Sequence, residues 1–504
     1  MGANVTARAA GVLLHPTSLP APYGAGDLGD HAYHFVDWLA RSHQSLWQIL
    51  PLGPTGFGHS PYATRSAFAG NPLLIALDRL REQGWLDGGD LADPPSADPD
   101  RIDFDRLLPW KQERLRRAFA RFSSQAGAGQ REQLHGFARA AAAWLDDFAT
   151  FMALREAQHG VPWNRWPTEL RLRQPEAIAG ARQQLAGEIG FHRFVQWLFA
   201  EQWGELKRYA NARGVRLLGD IPIFVAYDSA DVWARPELFQ LDAAGEPTVV
   251  AGVPPDYFSA TGQRWGNPLY RWDELARRGH DWWIARFRHA LRQADSVRID
   301  HFRGFEACWE IPAAEPTASN GRWQPGPGVA LFDAVRRALG TLPLVAEDLG
   351  LITPEVEALR KAVGAPGMRV LQFAFGGDAS NPYLPHNYAA DTVVYTGTHD
   401  NDTTAGWWAA ADERERDHAR RYLARDGSDI AHDLIRLAYG SVAELAIVPV
   451  QDVLGLGSEA RMNLPGRPEA NWAWRLRPDT LHDGHAGWLA GLVALYGRAP
   501  AAAT

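Results

Sequence analysis

The chain has 504 residues, 46% hydrophobic and 22% charged, the proportions of an ordinary folded protein with a sizeable core and far from those of a disordered one. A formal net charge of −8 leaves no broad basic surface, which argues against nucleic acid and anionic membrane as partners and favours a neutral ligand. No apolar run nears the roughly 20 residues that span a bilayer, Met1 to Ala10 lacks a signal-peptide core, and Cys308 is the only cysteine, so a reducing cytoplasm is expected.

Gly11-Val12-Leu13-Leu14-His15 reads as a short first strand, followed by a Pro/Gly-rich loop over 16–29 and a helix over 31–44 with Phe35, Val36 and Leu39 at helical spacing. Leu46 to Leu52 is the second strand, and strand, helix, strand opens a parallel sheet. From 73 to 187 the pattern changes to Arg- and Ala-rich amphipathic helices, such as 107–122 and 133–151, and predicts a helical insertion. A helix over 188–212 leads back to the third strand, Val215 to Val225, and residues 226–280, rich in Pro, Gly and aromatics, form a second insertion. Strand four is Val297 to Gly304 and strand five Pro343 to Asp348, the latter followed by a helix whose start is marked by Thr353-Pro354. Strands six to eight are Met368–Phe375, Thr392–Asp400 and Ala446–Asp452; a helix near Trp488 to Tyr496 closes the chain, and the tail 499–504 is expected to carry no structure. Eight strands with intervening helices predict the α/β class, a single (β/α)8 TIM barrel over 1–504 with two inserted subdomains and no separate C-terminal β domain.

In such barrels catalytic groups sit at the C-terminal strand ends. The acidic ends here are Asp300, Glu347 and Asp400. Arg298 and Asp300, two residues apart on a strand, project to one side, where the cation is expected to favour ionised Asp300. Taken alone, the pair reads as a nucleophile with its support or as a structural ion pair. Glu347 reads also as a capping or surface acid, and Asp400, in His399-Asp400-Asn401-Asp402, also as an N-cap or a metal ligand. Their joint placement is more telling, because a barrel brings all three to one mouth. Two convergent carboxylates, about 5–5.5 Å apart in the retaining case, are the minimum equipment for glycosidic-bond cleavage.

Other chemistries fit less well. A metal-dependent hydrolase wants several histidines, and the first strand ends with only His15. Gly455-Leu456-Gly457-Ser458 is a weak phosphate-loop signal that reads as a turn. The three lysines, Lys111, Lys207 and Lys361, lie in helical stretches, which argues against Schiff-base chemistry. No metal or organic cofactor is expected, with a structural cation left open. Of the 21 tryptophans, some are expected to stack on sugar faces and most to fill cores.

Several segments together resemble glycoside hydrolase family 77, the amylomaltases or 4-α-glucanotransferases of the α-amylase clan: Ser60-Pro61-Tyr62, Ser66 to Pro72, Gly219-Asp220-Ile221-Pro222, Arg298 to Gly304, Ala346 to Gly350 and Thr398 to Asn401. The match runs from Gly11 to about Trp474, and the stretch Gly252 to Phe258 with Gly262 to Pro268 is not expected in other clan members. The resemblance implies that Asp300 is the nucleophile of a covalent glucosyl-enzyme, Glu347 the general acid/base and Asp400 the transition-state stabiliser. It also implies that Arg298 and His399 hold the same sugar with Asp220, Tyr62 and Ser60 close by, that Tyr257 and Trp265 belong to a lid loop over 252–268 on the acceptor side, and that Phe373 and Asn463 line the groove. Phe57 departs from the tyrosine of related enzymes, which bears on affinity at an outer sugar site and not on the chemistry. The implied activity is retaining transfer of α-1,4-glucan segments from a donor maltodextrin to the 4-hydroxyl of an acceptor glucan or glucose. The expected partners are maltooligosaccharides and starch- or glycogen-derived glucans, met by a monomer or weak homo-oligomer. An α-1,4-glucan hydrolase of the same clan is the rival reading, and a catalytically dead glucan-binding protein a more distant one.

Overall fold

A computed structural model describes residues 8–95, 98–255, 259–467 and 469–499. Twelve strands are formed by the described residues: β1 (Ala9–Leu13), β2 (Leu46–Gln48), β3 (Arg216–Pro222), β4 (Val249–Val253), β5 (Gln263–Pro268), β6 (Ser296–Asp300), β7 (Ala307–Pro312), β8 (Arg322–Pro325), β9 (Leu344–Ala346), β10 (Gly367–Val370), β11 (Thr392–Tyr395) and β12 (Leu445–Pro449). Eight of them close a barrel in the order β1-β12-β11-β10-β9-β6-β3-β2, all in parallel. This is the (β/α)8 architecture expected from the sequence. Parallel strands covered by helices are buried on both faces, so they read as continuous apolar runs such as Thr392-Val393-Val394-Tyr395, in which every residue is buried.

The strands are shorter than those runs. β2 stops at Gln48, β10 at Val370, β11 at Tyr395 and β12 at Pro449. Past the ladder the chain turns while remaining under the barrel mouth: Leu371–Phe373 is a 3-10 turn and Val450–Val453 a short helix, with Leu371 and Val450 fully buried. Burial, not pairing, extended the apolar pattern.

Between β2 and β3 lie helices that include Phe104–Gln125, Ala128–Ala157 and Ala186–Ala212. Trp85, Phe122, Phe194 and Trp197 interlock there with ring centroids 4.9–5.9 Å apart. A second, antiparallel sheet in the order β5-β4-β7-β8 stands apart from the barrel. Much of the stretch 252–268, expected as a loop, is therefore a hairpin of β4 and β5. Gly252 permits their close approach, since a Cβ there would meet the Gln263 carbonyl oxygen at 2.2 Å. Tyr257, with residues 256–258, lies outside the described residues, as do 500–504 of the tail. Among the described residues no helix is long and apolar enough to cross a membrane.

Candidate active site

A cleft of about 2150 Å³ opens at the C-terminal ends of the barrel strands. Asp300, Glu347 and Asp400 all line it, as do Arg298, His399, Tyr62, Ser60, Trp265, Phe373 and Asn463. Asp300 ends β6, Glu347 directly follows β9, and Asp400 stands in the turn that follows β11; the three are far apart in sequence and gathered by barrel closure.

The floor is a chain of charge. Arg298, only 2% exposed, donates to Asp300 Oδ1 at 2.9 Å and to Asp220 Oδ2 at 2.6 Å. The Tyr62 hydroxyl donates to the same Asp220 oxygen at 2.8 Å. Burial opposes the Arg298 charge, but Asp220 and Asp300 more than offset that and hold its pKa well above the ordinary range. Burial pushes Asp220 up to about 7, against the pull of Arg298, and raises Tyr62 as well. Asp220 does not line the cleft: it lies beneath Arg298 and Tyr62 and holds both in place.

Glu347 follows β9 directly. Its Oε1 accepts the Leu349 N–H and its Oε2 the His301 N–H, each at 2.8 Å. Burial and then the nearby charge of Asp300 push its carboxyl up to about 8. Glu347 does not cap the next helix, because Thr353 occupies that N-cap. Asp400 is likewise free of a capping role: Thr403 caps the helix Thr404–Ala410 through its side chain. Instead Asp400 Oδ1 accepts from Asn463 Nδ2 at 2.6 Å, and its Oδ2 lies 3.5 Å from His399 Nε2. The His399 ring stacks on Tyr62 at 5.1 Å, and burial lowers its pKa, which favours the neutral ring. Ser60 Oγ accepts the Tyr62 N–H at 3.2 Å and so shapes the turn that delivers Tyr62.

Aromatic side chains form the rim. Trp265, on β5, is 39% exposed, and its ring meets His301 edge to face at 4.7 Å. Phe373, also 39% exposed, packs against Tyr383 at 5.4 Å, while Phe57 is 81% exposed. Among the wall residues that the sequence does not mark are His301, Tyr383 and Trp472. Trp472 contacts both Tyr62 and His399 and has φ +63°, a rare conformation for a bulky residue.

A (β/α)8 barrel with carboxylates converging on a cleft of this size is the frame of an enzyme that cleaves or transfers glycosidic bonds. The family profile of the 4-alpha-glucanotransferases, glycoside hydrolase family 77, matches residues 14–481. A 4-alpha-glucanotransferase of Thermus thermophilus is 55% identical over 96% of this chain and 97% of its own length, and one of Synechocystis 52% identical over 97% and 98%. The solved structure of an amylomaltase from Streptococcus agalactiae in complex with acarbose superimposes with a TM-score of 0.94 at 39% identity, covering 98% of this chain and 100% of that one. The chain belongs to glycoside hydrolase family 77, the 4-alpha-glucanotransferases.

Proposed function

We propose that the protein disproportionates α-1,4-glucans by double displacement, with Asp300 as nucleophile, Glu347 as acid/base and Asp400 as the group that binds the sugar hydroxyls in the transition state. The observation that carries this reading is the pairing of Asp300 with a Glu347 whose carboxyl is pushed up to about 8 in the same cleft. A carboxyl pushed up by burial and by Asp300 is suited to carry the proton that the first step needs. Asp300 attacks the anomeric carbon while Glu347 protonates the departing 4-oxygen, giving a β-linked glucosyl ester. Ester formation consumes the Asp300 charge, which is one of the two main causes of the raised Glu347 pKa, so the acid becomes a better carboxylate in the intermediate. It then takes the proton from the 4-hydroxyl of an acceptor glucan, whose oxygen displaces Asp300 and restores the α-1,4 bond. Two inversions retain configuration.

Arg298 supports this by orienting Asp300, since Asp220, itself held by the Tyr62 hydroxyl, fixes it from below. Asn463 and His399 orient Asp400. Trp265, Phe373 and Tyr383 offer apolar faces on which glucan rings stack, and they favour an acceptor sugar over water. The substrates on this reading are maltooligosaccharides and starch- or glycogen-derived glucans. One barrel supplies every proposed catalytic group, so a monomer suffices, and a lone buried Cys308 suits a reducing cytoplasm.

Incubation with maltotriose tests the reading. The expected result is glucose together with a ladder of longer oligomers, all α-1,4-linked, at a constant number of reducing ends. A steady gain of reducing ends would make the protein a hydrolase, and α-1,6 linkages would contradict the acceptor assignment.

A further inference from the structure

The two oxygens of Glu347 each receive one backbone N–H, but from different places. Leu349 is two residues along the same loop. His301 comes from the neighbouring strand end, directly after Asp300. Its backbone is left-handed, with φ +55° and ψ +48°, in a residue that carries a full side chain. Such a conformation persists where its surroundings over-determine it. Here they do: the ring meets Trp265 at 4.7 Å and Phe224 at 6.3 Å. On another side Gly304 makes room, since a Cβ there would stand 3.2 Å from His301 Cδ2. The Gly304 N–H closes the turn onto the His301 carbonyl at 3.0 Å.

We propose that His301 is a positioning residue: its ring, wedged between Trp265 and Gly304, locks a left-handed backbone that fixes its N–H on Oε2 of Glu347. It thereby ties strand β5, which carries Trp265, to the acid/base. The inference rests on the reading of Glu347 as acid/base. The other groups that act on Glu347 are Asp300, Arg298, the Leu349 N–H and Tyr383. Burial, aided by Arg303, holds the His301 ring neutral, with a pKa of about 3, so replacing it removes no charge near pH 8.

The test is the pH dependence of kcat/KM for maltotriose disproportionation, with thermal melts run alongside. A carboxylate that loses an N–H donor becomes harder to ionise, so the alkaline limb moves to higher pH. His301→Val disfavours the left-handed backbone and is expected to raise the limb by about half a pH unit to one unit. His301→Asn loses the ring but tolerates the left-handed region, and its limb is expected within about 0.2 units of wild type. His301→Ala, intermediate in backbone preference, replaces the Val variant if that one fails to fold. A wild-type limb in both the Val and Ala variants, or an Asn variant shifted as far as the Val variant, would overturn the proposal. Glu347→Gln is the control for the parent reading: an alkaline limb that survives in that variant would contradict the acid/base assignment itself.

Discussion

The floor and the rim of the cleft are built on opposite principles. On the floor, Asp220, Arg298, Tyr62 and Asp300 are joined by hydrogen bonds of 2.6–2.9 Å, and Arg298 is 2% exposed. At the rim, Trp265, Phe373 and Phe57 stand 39–81% exposed. On the proposed mechanism the charge that acts in the transition state is held in advance, because reorienting it during the reaction would add to the activation barrier. Glucans of varying length need a surface that accepts many registers, and exposed rings provide it through stacking with little directional demand. Damage to the floor should therefore appear in kcat and stability, and damage to the rim in KM and in the balance of transfer against hydrolysis.

Asp300→Asn is the strongest challenge to the floor. Disproportionation of maltotriose, followed by product chromatography, is expected to fall by about 10⁴-fold or more with the fold retained. Arg298→Met comes next. It leaves Asp220 and Asp300 without their shared cation, and the urea midpoint should report a loss of about 3–5 kcal/mol along with a fall in kcat. On the proposed mechanism the first step needs the Glu347 proton, so kcat/KM should decline as pH rises through about 8.

At the rim the effects are smaller. Trp265→Ala is expected to raise KM for the acceptor about tenfold and to raise the hydrolysed fraction, read as new reducing ends; kcat falls far less than in Arg298→Met, and the alkaline limb moves to higher pH as the wedge against His301 loosens. A kcat loss as large as that of Arg298→Met would erase the distinction between floor and rim. Phe57→Tyr adds a hydroxyl at an exposed position and should change KM for long glucans by less than about threefold.

The sequence displayed the floor more clearly than the rim, and for a physical reason. Asp300 and Glu347 are legible because buried apolar strands end abruptly on charge, and a barrel brings such ends together whatever their separation along the chain. Asp400 was ambiguous in the sequence, since a short polar run before a helix also reads as a cap; Thr403, three residues on, takes that role. His301, Tyr383 and Trp472 lie on turns and loops with no period to mark them, and the positive φ of His301 and Trp472 leaves no compositional trace. The second sheet was missed for a related reason. β7 follows β6 after only the turn Phe302–Phe305, and β8, Arg-Trp-Gln-Pro, lacks the apolar run by which the barrel strands are recognised.

On the proposed mechanism Asp300 carries the sugar between donor and acceptor. Treating Glu347→Gln with α-glucosyl fluoride, a donor whose leaving group needs no acid, should allow a glucosyl-enzyme to accumulate, because its breakdown still needs the missing base. Mass spectrometry of the digest is expected to find one hexosyl group on the peptide containing Asp300, located on that aspartate. A hexosyl group on any other residue, or an unmodified enzyme that turns the fluoride into product of inverted configuration, would contradict the account.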